Sequence, residues 1–285
     1  MTRRLKLAAP ILASLVCASL CGGCLERKVS ERAGGSPSSA TPAPPSPGAR
    51  LIADAGDFRV EYGAARARGE AELRQDLREN RVLEGLADEL NKALALPADV
   101  TLAFDECGKA DATYDAGARR VSVCYELVDS LYDAFRDAKS DDERDDKVVG
   151  ATVFVFQHEL AHLLAQIYKL PAADEAEGAA DELALFLLTR EAGDADDAAL
   201  DAAEALTRDE SPGAGGEEVF LRGAHALDRR RQSDLLCWLY ARDGEKYKFL
   251  IEDGELPAER AERCGGEFAQ VERDWAERLK PYLKT

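Results

Sequence analysis

The stretch KVVGATVFVFQHELAHLLAQIY, residues 147–168, constrains the fold more than any other, because apart from two histidines its only charged side chains are Lys147 and Glu159. A run this apolar has to be covered by the rest of the chain. Val148 to Phe156 is rich in β-branched and aromatic residues and reads locally as a buried strand, but the length of the run and the residues after it favour a buried helix. On that helix positions 151, 155, 158, 162 and 165 form one stripe, Ala, Val, His, His, Ala, so both histidines continue a core-facing surface. The acidic run SDDERDD at 140–146 reads as its solvated start.

His158-Glu159-Leu160-Ala161-His162 is an HExxH arrangement. Residues four apart on a helix project from one face and can share one Zn2+, while the intervening glutamate can reach a water on the metal. Two of the chain's three histidines fall within five residues, against a chance expectation of ~0.003 such matches. The alternative is a pair of satisfied histidines on an ordinary core helix. A catalytic zinc usually has three protein ligands and one open position, and Glu177, in Glu177-Gly178-Ala179-Ala180-Asp181, is the best third. Leu170-Pro171 turns the chain so that a helix over 174–190, with Asp174 as its N-cap, can fold back. Glu177, Asp181, Ala184 and Leu188 then share a face, and two acids on an apolar line are costly unless they meet a cation. Zinc on Glu177, with an imidazole N–H held by Asp181, satisfies both. Glu177 could instead complete a capping box with Asp174, leaving Glu175 and Glu182 as substitutes.

The remaining pattern is mostly helical with a small strand region, an α+β class, and shows no internal repeat. Residues 66–96 carry Leu73, Leu77, Leu83, Leu86, Leu90 and Leu94 at helical spacing and end at Pro97. Strands are expected at about 58–62, 100–106 and 119–124, as a small antiparallel region, followed by a helix over 125–139. Segment 192–216, acidic and Ala-rich, reads as a surface excursion with one short helix at most, and 217–241 and 267–284 as closing helices.

Upstream, Arg3, Arg4 and Lys6 precede an uncharged run from Leu7 to Cys21 and then Gly22-Gly23-Cys24, the basic, apolar, small-residue order of a secretory signal. The run has 15 residues, includes Pro10, and is shorter than the roughly 20 that a membrane span needs. It resembles a bacterial lipoprotein signal with Cys24 as the lipidated residue. Cys21 is the other candidate, although Leu20 before it is large, and an ordinary cleaved signal is the plainer alternative. Residues 24–50, which hold five prolines among Ser, Ala and Gly, then form a tether, and residues 51–285 the domain. Leu25 leans the location toward the outer envelope, on the periplasmic or outer face.

The 55 acidic against 37 basic residues give a net charge of −18, which repels nucleic-acid phosphates. Removing residues 1–23 deletes three basic residues and takes it to −21. Four cysteines, Cys107, Cys124, Cys237 and Cys264, lie in the domain. In an exported chain they read as disulfides, and short-range closure favours Cys107 with Cys124, stapling a hairpin-like unit, and Cys237 with Cys264. A four-cysteine zinc site is the rival, without any CxxC spacing to support it.

Four segments, ECGKADATYDAGARRVSVCYEL, FVFQHELAHLLAQIYKLPAADEAEGAADELALFLL, AHALDRRRQSDLLCWLYA and RAERCGGEF, resemble in this order the bacterial metallopeptidase family DUF4344, over roughly residues 57–280. That family is grouped with the gluzincins, whose pattern is HExxH followed by ExxxD on the next helix. The resemblance implies a zincin-like fold with one Zn2+ per chain on His158, His162 and Glu177, Asp181 beside them, and a peptide or protein substrate. The sequence departs at Asp111, where an asparagine is expected. The resemblance also implies that His225 stabilises an oxyanion, with Asp228 three residues on to orient its ring; a core or surface histidine is the alternative. In this reading Glu159 is the general base, and strand 119–124 is the edge that aligns an extended substrate. The competing readings are a lipid-anchored domain that keeps the zinc for structure or binding without turnover, and a scaffolding lipoprotein with no metal. Neither substrate specificity nor oligomeric state is legible.

Overall fold

A computed structural model of the chain describes residues 52–170, 177–190, 197–209 and 229–284. The first strand, β1 (Phe58–Tyr62), is followed by helices α1 (Arg68–Glu79) and α2 (Val82–Ala93) and then β2 (Val100–Asp105). β1 and β2 run parallel, Phe58 beside Val100, so they need a crossover between them, and the two helices form it. The single helix expected over 66–96 is broken at Asn80-Arg81. Asn80 turns its side-chain amide onto the Asp76 carbonyl (2.8 Å), and Arg81 takes a left-handed φ of 54°. The leucine spacing survives the break because both helices bury the same face, with Leu73, Leu77, Leu83, Leu86 and Leu90 in the core. Tyr62 anchors the restart: its hydroxyl donates to Glu84 (2.9 Å) and accepts from the Leu83 N–H (3.3 Å).

Next come β3 (Ala112–Asp115) and β4 (Arg120–Cys124), giving a sheet ordered β1-β2-β4-β3. β2 pairs with β4 in parallel, and only β3–β4 is antiparallel. The sheet is therefore mixed rather than antiparallel, and β3 lies within a stretch that read as turn. Strand β2, flanked on both sides, is a near-continuous apolar run with Val100, Leu102, Ala103 and Phe104 fully buried, as an interior parallel strand should be. The Cys107–Cys124 disulfide forms, but it joins the exit of β2 to the end of its parallel neighbour, where Asp105 lies beside Cys124, and not two arms of a hairpin.

From Cys124 the chain enters α3 (Tyr125–Ala134) and then α4 (Asp141–Tyr168). Ser140 caps α4 by accepting from the Glu143 N–H (3.1 Å), while Glu143 accepts from the Lys139 N–H (2.9 Å), a reciprocal arrangement close to a capping box. At 28 residues the helix is about 42 Å long. It is apolar enough to cross a membrane, but 89% of its most apolar window is buried inside the protein. The long apolar run is thus the core helix, packed against β3, β4, α3, α5 (Glu177–Leu188) and α6 (Asp197–Asp209).

Helix α6 corrects the expectation of a surface excursion. Ala198, Ala199, Ala202, Ala203 and Ala205 are buried against the core, their small side chains permitting close approach to α4 at Gly150, where an added Cβ would lie 3.4 Å from the Ala198 Cα. The chain ends with α7 (Arg229–Arg242), the short α8 (Phe249–Glu252) and α9 (Ala258–Leu279). Cys237 of α7 is bonded to Cys264 of α9, the second expected pairing.

Candidate metal centre

Helix α4 presents His158 and His162 from one face, both almost completely buried, and Glu177 begins α5 against them. The His158 Nε2 lies 3.3 Å from the His162 Nε2 and 3.1 Å from the Glu177 Oε2, and the His162 Nε2 lies 3.4 Å from the Glu177 Oε1. Ligands bound tetrahedrally at ~2.0–2.1 Å are separated by about 3.3 Å. The three side chains therefore stand at the spacing of three corners around one small ion, and they form one of the two groups of His, Cys, Asp or Glu among the described residues that are close enough to share a metal. The other, Cys107, Cys124 and Glu126, has its sulfurs in a disulfide.

The hydrogen bonding of His158 indicates what the triad needs. Its Nδ1–H donates to Asp181 Oδ1 at 2.9 Å, so in a neutral ring the Nε2 carries a lone pair and points it at a carboxylate oxygen and a second imidazole nitrogen. The His158 Nε2 and the Glu177 carboxylate are then acceptors facing one another, and a proton on the His162 Nε2 or a metal ion among the three can bridge them. The same demand is seen in the acidity of the ring: burial would push His158 down, but Asp181 and Glu177 outweigh it and hold it up at about 9. Glu159, between the histidines in the chain, is fully buried, and its charge acts on His158 in the same direction.

Asp181 is buried on α5, one turn beyond Glu177, and its second partner was not anticipated. Arg231 of α7 donates to it twice, Nε to Oδ2 at 2.7 Å and Nη2 to Oδ1 at 2.8 Å, and its Nη1 lies 3.2 Å from the Glu177 Oε2. Although burial opposes it, Arg231 and His158 hold the Asp181 carboxyl below its usual range. Two acids on an apolar face do meet a cation, as their cost requires, and part of that cation is a guanidinium. The signal was present: Arg231, Leu235, Trp238 and Leu239 follow helical spacing and are all buried, so one member of the Arg229-Arg230-Arg231 run sits on a core stripe.

A second unanticipated neighbour is Tyr114 of β3, whose ring stacks on His162. Strand 119–124, expected at the sheet edge, is the interior β4; β3 occupies the edge next to the histidines. Glu182, the alternative ligand, accepts instead from Trp275 Nε1 at 3.1 Å. Asp111 pairs with Lys109 at 2.5 Å. Cys24, Asp174, Glu175, His225 and Asp228 lie outside the described residues.

No match was found among curated proteins or among solved structures. Residues 62–279, most of the chain, match the family model DUF4344, described as "Putative metallopeptidase". A family so described accords with a His-His-Glu triad, its histidines buried, on two packed helices, and the chain belongs to DUF4344.

Proposed function

We propose that the domain is a zinc-dependent peptidase with a glutamate general base, and that His158, His162 and Glu177 hold one zinc. The observation that carries this reading is the triad itself, in which the two imidazole Nε2 atoms lie 3.3 Å apart and each lies 3.1–3.4 Å from one oxygen of the Glu177 carboxylate, with Asp181 fixing the tautomer of His158. Bound Zn2+ would supply a Lewis acid and lower the pKa of a water toward ~7. Glu159 takes the proton from the attacking water and returns it to the leaving amine. An extended peptide pairs with the outer edge of β3, the last strand of the sheet among the described residues, which Tyr114 ties to His162. His225, oriented by Asp228, keeps its proposed role at the oxyanion.

The same reading takes the chain as exported, cleaved before Cys24 and anchored there by lipid to the cell envelope, with residues 24–50 as tether and 51–285 as the peptidase domain. Two disulfides support an oxidising compartment.

The test is elemental analysis and peptide-library hydrolysis with the wild-type chain, Glu159→Gln and His162→Ala. About one zinc in the wild type and in Glu159→Gln, none in His162→Ala, and hydrolysis by the wild type alone are expected. Zinc without turnover in the wild type would move the assignment to a binding or scaffolding role, and equal hydrolysis by wild type and Glu159→Gln would end the peptidase reading.

A further inference from the structure

Arg231 is 7% exposed, and the carboxylate it grips is 1% exposed. A buried guanidinium has to be matched by anions, and the two it meets among the described residues, Asp181 and Glu177, come from α5 and bear on His158. We propose that Arg231 is a positioning residue for the metal centre: it fixes the Asp181 carboxylate in the plane that orients His158, and it holds the Glu177 Oε2 from the side of α7. This rests on the metal reading of the triad and adds a role that the ligand set alone does not contain.

The geometry separates fork from charge. Two parallel N–H donors on one carboxylate set its rotation as well as its position. With Nε on Oδ2 at 2.7 Å and Nη2 on Oδ1 at 2.8 Å, Oδ1 is left facing the His158 Nδ1 at 2.9 Å. The guanidinium cannot give up its proton in a protein, so Asp181 stays ionised and the His158 Nδ1 keeps its hydrogen. That leaves Nε2 as the nitrogen turned to the triad. The third guanidinium nitrogen, Nη1, reaches Glu177 Oε2 at 3.2 Å, so one group restrains both the ligand carboxylate and the carboxylate that orients a ligand imidazole. Outer partners of this kind are worth roughly 10- to 100-fold in metal affinity. As a bare charge, by contrast, a guanidinium beside a dication site repels the ion. The two roles therefore predict opposite signs.

The experiment measures the Zn2+ dissociation constant by chelator competition on the full chain and on Arg231→Lys and Arg231→Gln. Lysine keeps the charge and loses the fork, whereas glutamine loses both. Both variants are expected to bind zinc roughly 10- to 100-fold more weakly. Lysine at wild-type affinity, or glutamine binding more tightly, would show that only the charge matters and would overturn the inference. If Arg231→Gln does not fold, Arg231→Lys is read in a cycle with Asp181→Asn. The double variant is expected to lose less than the sum of the two single losses, because Arg231 acts largely through Asp181 and only its Nη1 contact to Glu177 is independent of it, and fully additive losses would count against it. A metal-independent arm observes the His158 Nδ1–H by 15N-edited NMR, with exchange protection in the wild type expected to be lost in Arg231→Lys. An unchanged signal overturns the positioning role. A wild type that takes up no zinc removes the peptidase reading while this arm still decides the role of Arg231.

Discussion

The rings of Tyr114 and His162 lie nearly parallel, their centroids 5.3 Å apart and their planes 12° from one another. The tyrosine hydroxyl accepts from the Gln166 side chain at 3.3 Å, one helical turn beyond His162, so the ring is held against the imidazole from its far end too. Of the two histidines proposed as ligands, His158 is thus fixed by an ionic partner on α5 and His162 by an aromatic one on the edge strand. Tyr114→Phe keeps the stack and is expected to hold zinc within about twofold of wild type, whereas Tyr114→Ala frees the ring and is expected to weaken binding by roughly tenfold, the lower end for outer-shell partners. Chelator competition measures both. Unchanged affinity in Tyr114→Ala would mean that the stack is packing only.

Of the three acids that competed for the third ligand position, the two among the described residues have different partners. Glu177 faces the imidazoles, and Glu182 faces the Trp275 indole. Burial holds the Glu182 carboxyl above its usual range, with the Trp275 hydrogen bond opposing it. Glu177→Gln is expected to lose stoichiometric zinc, while Glu182→Gln keeps the zinc and shifts the tryptophan emission. Loss of zinc in Glu182→Gln alone would reverse the assignment.

The Cys237–Cys264 bridge closes 27 residues and ties α7, the helix that delivers Arg231, to α9. In the chain-entropy account a loop of that length is worth about 3.5 kcal/mol, within the usual ~2–4. Replacing both cysteines by alanine is expected to lower urea stability by about that much. It should also weaken zinc binding, because Arg231 loses its fixed register. A variant as stable as wild type would show that packing between α7 and α9 suffices without the bridge.

How far the sequence could be read depends on which signals are local. An i, i+4 pair on an apolar run fixes its own face, so the placement of His158 and His162 was legible, as was the packing of the face of Glu177 and Asp181 against α4. The two disulfide pairings were legible from chain proximity. Strand β3 was hidden because ATYD has four residues, too few for the alternation of Ala112 and Tyr114 with Thr113 and Asp115 to stand out, and it exists by pairing with β4. Without it the wrong strand took the edge. Helix α6 was hidden because alanine is short enough to serve either surface or core, and what decides is the glycine across from it. Arg231 was hidden because a zinc ion alone satisfies the need of Glu177 and Asp181 for a cation, so the core-facing stripe that carries Arg231 was not connected to them.

Asp201 on α6 is the place where that α4–α6 packing has a measurable price. A Cβ built on Gly150 would lie 2.1 Å from the Asp201 Oδ2, so the acid is pressed into the groove between the helices. Burial pushes its carboxyl up to about 8; Lys147 opposes this, while Glu204, Asp197 and Asp146 add to it. Lys147 approaches Asp201 only to 3.9 Å and is in closer contact with Glu204, so its charge does little to offset the burial of Asp201. The native state then keeps a proton that the unfolded chain releases near pH 4. Stability from this group is therefore greatest below pH 4 and falls as pH rises toward 8. Asp201→Asn resembles the protonated acid at every pH, so it should match wild type at pH 5 apart from a small part of the difference and exceed it by a few kcal/mol at pH 9. Urea unfolding at pH 5, 7 and 9 reads this directly. An asparagine variant less stable than wild type at pH 9 would mean that Asp201 is ionised and held by Lys147 after all.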